Sequence, residues 1–494
     1  MKAYRKIMVL MAAVAAVLAS CRPRPADVCP VDALPPIFPD YAGVTIPAGI
    51  APLNFGLEGD TAECIDVQLA GTIGGCLHAQ GSTHVELDAD DWHSLTALNA
   101  GGSITVSVCE RRGGRWLRYR DFAIHVSPEP LDDYGLVYRR IPPGYEVGGD
   151  LGIYQRCLHN FDESPLLTET ALPGRCFNCH TANRANPQQF TMQVRGEGGG
   201  TLVQTDGCQV WYDTKTPATR AAGSYAYWHP EGRYVAYAAA AVYQSFFVGK
   251  GQPIEVYHKF SNIVVLDRQT DTLLADSLLL TDCLEIFPAF SADGRRLFFS
   301  TSEPCNVPAE YLKVKCSLCA IGFDAESGRF ATHADTLLSG PRDDCSYVMA
   351  RPSYDGRWLA YVQCSRSNFP IAQPDADIRL MDLATGRLHE LPELNSRHTD
   401  SYPNWSTNSR WMVFASKRLD GKYTRLFIAS VDEHGRATKP FLLPQRNPWK
   451  YYNELFDAYN CPDFTSAKVS LDVDATRRAV ESGRRTPVSL KPIR

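Results

Sequence analysis

Hydrophobic and polar residues alternate with a period of two through long stretches of this chain. Ile104, Val106 and Val108 fall on one side of a run whose Thr105 and Ser107 fall on the other, the pattern of a half-buried strand. Similar runs at 64–69 and 116–126 are separated by glycine pairs, and Gly113-Gly114 reads as a hairpin turn. The pattern predicts an all-β chain with a small β-sandwich-like domain over 60–130, inside which Cys64, Cys76 and Cys109 offer material for a bridge.

The second half repeats itself. Trp228-His229-Pro230-Glu231-Gly232-Arg233, Phe290-Ser291-Ala292-Asp293-Gly294-Arg295, Pro352-Ser353-Tyr354-Asp355-Gly356-Arg357 and Trp405-Ser406-Thr407-Asn408-Ser409-Arg410 each lead into an apolar, aromatic-rich strand. The turn positions Gly232, Gly294, Gly356 and Ser409 are 62, 62 and 53 residues apart, which marks a stacked or radial array. Downstream, IVVLDRQTDTLL, AIGFDAESGRFA, IRLMDLATGRLHEL and LFIASVDEHGRA read as strand, polar turn, strand. Two hairpins per unit give four antiparallel strands, a propeller blade. The repeats resemble the TolB-type β-propeller of bacterial envelope proteins over roughly residues 220–445. Cys208 and the residues up to the Asp213-Thr214-Lys215 turn look like half of an earlier blade, so five blades are expected over 201–465. A sixth is the alternative, completed by 136–141 or 469–473.

At the N-terminus, Lys2, Arg5 and Lys6 precede an apolar run at 7–19 that is too short to span a bilayer, and Leu18-Ala19-Ser20-Cys21 closes it with small residues. This is a secretory signal over 1–20. Its end resembles the lipobox of bacterial lipoproteins, which implies lipidation of Cys21. Eight prolines between Pro23 and Pro52 predict an extended tether over 21–59. Arg22 and Arg24 take the place of an acidic export cluster, so the expected location is lipid-anchored in the envelope, at the periplasmic face of an outer membrane. Without the signal, 47 basic residues face 55 acidic ones, and no nucleic-acid partner is expected.

Composition adds one oddity, 16 cysteines in 494 residues. The most specific group is Cys176-Phe177-Asn178-Cys179-His180, assigned to a linker and loop over 131–200. Two thiols three positions apart can add to the vinyl groups of a haem, with the adjacent histidine ligating the iron. About 0.01 such motifs are expected by chance at this composition. The residues therefore predict one covalent haem c on Cys176 and Cys179 with His180 as an iron ligand. A redox dithiol, a zinc site joining Cys157 and His159 to Cys176 and Cys179, and a structural disulfide are the competing readings. Cys316-Ser317-Leu318-Cys319 lacks the histidine and reads as disulfide material. Met192, 12 residues past His180, is the candidate sixth ligand, with His159 and His229 as alternatives and a place in the propeller core as the plain reading of Met192.

Together with Pro142-Pro143-Gly144-Tyr145 and the tail segments 439–445 and 459–464, these features resemble a group of Bacteroidetes-type, TolB-like, cytochrome c related envelope lipoproteins. Residues 466–494 are taken as a C-terminal tail. No Gly-x-Ser-x-Gly elbow or phosphate-binding loop occurs, so a peptidase domain is not expected. Two functions follow. One is a tethered monohaem cytochrome passing single electrons to or from an envelope protein docked on the propeller face. The other is a non-catalytic envelope scaffold in which the Cys-x-x-Cys-His segment is structural or binds zinc.

Overall fold

The turns that repeat in the sequence close hairpins of one design. In a computed structural model of the protein, Ser291 Oγ donates to Asp293 Oδ1 at 2.6 Å and accepts from Arg296 N at 3.0 Å. Ser353 does the same with Asp355 and Trp358 N, and Ser406 with Asn408 and Trp411 N. A serine hydroxyl thus satisfies the turn's side chain and the first amide of the next strand together. Gly232, Gly294 and Gly356 hold the left-handed position of these turns, and Ser409 holds it in the last.

The structure describes residues 24–59, 62–143, 151–246 and 254–492. The signal segment, Cys21, Gly144 and Tyr145 lie outside them. The chain divides into two units, one holding 1–44, 51–128 and 444–453, the other 45–50, 129–443 and 454–494.

The larger unit contains six antiparallel sheets with four blade strands each. Blade 1 runs Glu163–Thr168, Gly152–Cys157, Gly135–Ile141, Ala458–Thr465 from its outer edge inward. Blade 2 starts at Cys176–Asn183 and ends at Cys208–Asp213. Blades 3 to 6 begin with the inner strands Gly223–Trp228, Ile286–Phe290, Ser346–Pro352 and Asp400–Trp405. The fold is the expected β-propeller; among the described residues it has six such sheets, the number held as the alternative to five, and 135–141 is a strand of the additional one. The sixth was hidden because residues 131–200, expected as linker and loop, supply three strands of blade 1 and the first two of blade 2. The strand that completes blade 1 is Ala458–Thr465, paired with Gly135–Ile141, and not 469–473. The supposed tail is also structured. Helix Val473–Ser482 is capped by Asp472 and ends at Gly483, and its Val480 joins the core of blade 2. Thr486–Pro487 and Ser489–Pro492 then add in parallel to the outer strands of blades 2 and 3.

Apolar faces of successive blades bury each other, as in the cluster of Tyr234, Ile263, Val265, Phe290, Leu297 and Phe323. In the smaller unit, Cys64–Gly71 pairs with Cys76–Gly81 and Ser103–Arg112, and Gly113-Gly114 makes the predicted turn into Arg115–Arg118. A second sheet of Ile37–Phe38, Phe55–Leu57 and His84–Val85 and a helix, Ala89–Leu98, complete it. Within the proline-rich segment, expected as an extended tether laid over the body of the protein, Cys29–Pro30 pairs with the Arg115–Arg118 strand, and Tyr41, Leu53 and Phe55 are buried. Cys64, Cys76 and Cys109 do not bridge, because Cys109 lies across from Asp66 and Cys76 across from Ala70. Cys316 and Cys319 are buried free thiols. No helix among the described residues is long and apolar enough to cross a membrane.

Candidate functional site

Each of the six inner strands is interrupted at the same place. Cys179, Tyr225, Phe287, Met349, Tyr402 and Cys461 all have φ between 49° and 57°, and at each of them the pairing with the next strand slips by a residue. Left-handed backbone costs a non-glycine residue about 1–2 kcal/mol, so a bulge kept six times is a built feature. Its effect is to turn one side chain per blade toward a common small cavity, which all six line together with His180, Arg351, Asn404 and Asp463. A neighbouring small cavity shares Thr181, Arg351, Asn404 and Asp463 and adds Arg184, Tyr227, Trp228 and Tyr354.

The sequence records this ring in the short alignment Asn-Cys-His, Ser-Tyr-Ala, Ile-Phe-Pro, Val-Met-Ala, Ser-Tyr-Pro, Asn-Cys-Pro. The Cys and His that end the haem-like motif are thus the bulge residue and its successor in blade 2. Cys461, missed as a chemical residue, is the matching bulge residue of blade 1. The aligned triplets were the signal that finds it.

Around the two thiols the wall is polar and buried. Arg139 is 8% exposed, and its Nη2 donates to Cys176 Sγ at 3.4 Å. Burial pushes the Cys179 thiol up, against the nearby guanidiniums of Arg195 and Arg139. Burial, together with Cys179, pushes Cys461 up to about 12. Tyr225 Oη donates to His258 Nε2 at 2.9 Å. Asp463 accepts from Ala182 N at 2.8 Å, Thr181 Oγ1 at 2.9 Å and Asn404 Nδ2 at 2.8 Å, tying blades 1, 2 and 6. His180 is 5% exposed, and burial pulls its pKa down to about 4, against weak opposing influence from the backbone of Val137 and Cys461. Neither ring nitrogen has a hydrogen-bond partner of good geometry, so a neutral imidazole sits at the cavity wall.

The structure brings Cys179 and His180 to one cavity. Cys176 is exposed, while Cys179 is buried one bulge further along the strand. The His180 ring stacks on Phe190 at 6.2 Å and 26°. Met192 is 1% exposed in the core with Phe177, Val194 and Leu202, so the plain reading of it holds and the ligand reading does not. The histidine alternatives are occupied as well: His159 Nδ1 donates to Gly49 O at 3.0 Å and His229 Nε2 to Gly294 O at 3.2 Å. Among the described residues, no group of three or more His, Cys, Asp and Glu side chains is placed to hold a metal ion, which removes the Cys157, His159, Cys176, Cys179 zinc set.

Comparison with known proteins adds little to this. No family model matches the chain, and no curated protein matches its sequence. Solved structures that it resembles include prolyl oligopeptidase B from Galerina marginata, 9% identical, covering 63% of this chain and 43% of that one with a TM-score of 0.33. Another is hydrazine synthase of Kuenenia stuttgartiensis, 10% identical, covering 65% and 49% with a TM-score of 0.39. A third is the β-propeller domain of the trilobed protease from Pyrococcus furiosus, 10% identical, covering 78% and 99% with a TM-score of 0.35. The chain thus spans under half the length of the first two.

Proposed function

We propose that this chain is an exported, non-catalytic β-propeller binding protein of the cell envelope, lipid-anchored through Cys21, whose ligand or protein partner engages the propeller at its axial cavity. The observation that carries the reading is the placement of the Cys-x-x-Cys-His segment. Residues 176–183 are the inner strand of a blade, and Cys179 occupies a bulge that five other blades share. A haem-carrying loop has no reason to follow that repeat; a cavity wall does. The aromatic and guanidinium groups beside it, with Arg351 over Tyr227 at 5.3 Å and Arg184 over Tyr354 at 5.4 Å, suit a binding face.

The test is direct. Full-length protein made alongside the haem-attachment machinery is expected to show no Soret band and an unmodified mass for the peptide holding 176–180. Haem found on Cys176 and Cys179 would replace this reading with the monohaem electron carrier. A Cys176→Ser variant is expected to fold and to bind whatever envelope partner the wild type retains.

A further inference from the structure

Three of the six ring positions carry sulfur. Cys461 of blade 1 and Cys179 of blade 2 are on neighbouring inner strands, and Met349 of blade 5 completes the trio from elsewhere around the ring. All three line one cavity. The other three are Tyr225, Phe287 and Tyr402, which are aromatic, and the Asp463 carboxylate that also lines the cavity is engaged by Ala182 N, Thr181 Oγ1 and Asn404 Nδ2. Asn178 Nδ2 lies 3.9 Å from Cys461 Sγ, so the residue beside one bulge already touches the thiol of the next. His180 lines the same space at 5% exposure.

We infer that this sulfur ring is a site for a soft monovalent d10 cation of the copper(I) class, held by the Cys179 and Cys461 thiolates with the Met349 thioether as third donor. The inference rests on the haem-free reading above, since Cys179 cannot serve both. Thiolate and thioether ligands select such an ion over hard cations, and two or three donors suffice for it where zinc wants four. Entry of the ion displaces two thiol protons to solvent and transfers no electron. The resulting bis-thiolate centre carries a net charge of −1. Arg351, which lines the same cavity, and Arg139, whose Nη2 lies 3.4 Å from Cys176 Sγ, place positive charge beside it. Low-coordinate sulfur in an aromatic, buried cavity also keeps the ion from water.

The experiment uses the full-length protein under reducing conditions, with silver(I) as a redox-inert probe and copper(I) in competition with a chromophoric chelator. One equivalent is expected to bind and to protect Cys179 and Cys461, but not the exposed Cys208, from alkylation read by peptide mass. Cys179→Ser and Cys461→Ser should each weaken binding by at least about 100-fold, and Met349→Leu by about 10-fold. Cys208→Ser should change nothing. The site is overturned if wild type and the Cys179→Ser, Cys461→Ser double variant bind equally, or if alkylation protection falls on other cysteines. It is also overturned if Cys176→Ser abolishes binding while Cys461→Ser does not, or if zinc displaces silver. Alkylation protection is read on wild type, so a serine variant that fails to fold does not block the test. Absence of ion binding with no haem band leaves the binding-protein reading standing; a haem band removes both.

Discussion

Blades 2 and 6 build the same bulge from opposite materials. Two residues before the bulge, blade 2 has Phe177, buried in an apolar cluster with Phe190, Met192, Val194 and Leu202. Blade 6 has Asp400 there, fully buried, accepting from Ser396 N at 2.6 Å and paired with Arg418 at 2.8 Å. The Arg418 guanidinium in turn lies over the Phe427 ring at 4.6 Å. Identical backbone therefore does not require identical packing. What the blades share is the pairing slip that aims one side chain at the axis, and what they vary is how the strand behind it is fastened.

The largest effects come from cutting those fastenings. Phe177→Ala is expected to cost about 3–5 kcal/mol through lost burial and a residual cavity. Arg418→Ala should cost a similar ~3–5 kcal/mol for a different reason, because a fully buried carboxylate is left unpaired. Denaturant unfolding separates the two causes. Adding Asp400→Leu to Arg418→Met should restore most of the loss in blade 6, whereas no polar change can rescue Phe177→Ala. If the double variant in blade 6 is as unstable as Arg418→Ala, the contrast between the blades fails.

Proton linkage offers a second contrast, between the blade 2 residue His180 and the alanine or proline that follows the bulge in the other five blades. His180 and His258 are each pulled down to about 4 by burial, from an ordinary 6.5. The unfolded chain thus binds more protons between those values. Their contribution to stability is complete above pH 6.5 and is lost as pH falls toward 4, by up to about 1.4 kcal/mol per pH unit for each histidine. Asp133, pushed up to about 6 by burial, works in the opposite direction, and the raised carboxyl of Asp463 does too. His180→Ala should therefore flatten the acid limb of the stability curve by close to one proton between pH 6.5 and 4. An unchanged slope would mean that the imidazole is charged or solvated in the folded state.

The sequence disclosed the outer face of this propeller better than its centre. The turns of blades 3 to 6 were legible because a left-handed turn position and a side-chain acceptor demand Gly, Asp and Ser, so geometry is written in residue identity. Blade 1 was not legible, since its strands come from both ends of the unit, 135–168 and 458–465, and no local turn joins them. Blade 2 was hidden because Cys176, Cys179 and His180, which match a haem motif by letter, lie on a strand with one extra residue where a loop was expected. The sulfur ring was invisible for a related reason. Met192 was weighed as a ligand by its distance along the chain, yet it faces the core, and the cavity is reached instead by Met349 and Cys461.

The smallest expected effect compares one turn position in two blades. Ser409 of blade 6 has φ of 58°, where blade 4 has Gly294 at 73°. Ser409→Gly relieves roughly 1 kcal/mol of left-handed strain. It also removes the hydrogen bond from Asp355 N to Ser409 Oγ at 3.1 Å, worth about 0.5–1.5 kcal/mol, and it loosens the unfolded chain. The terms nearly cancel, so a loss under about 1 kcal/mol is expected. The converse change is not symmetrical. A Cβ on Gly294 would lie 2.1 Å from His229 Nε2, in a ring already packed against Phe290 and Tyr234. Gly294→Ala should then cost at least about 2 kcal/mol, from strain and overpacking together. Thermal unfolding of the two variants would break the contrast if Ser409→Gly proved the more damaging, since the serine hydroxyl, and not the backbone, would then be what holds this turn to blade 5.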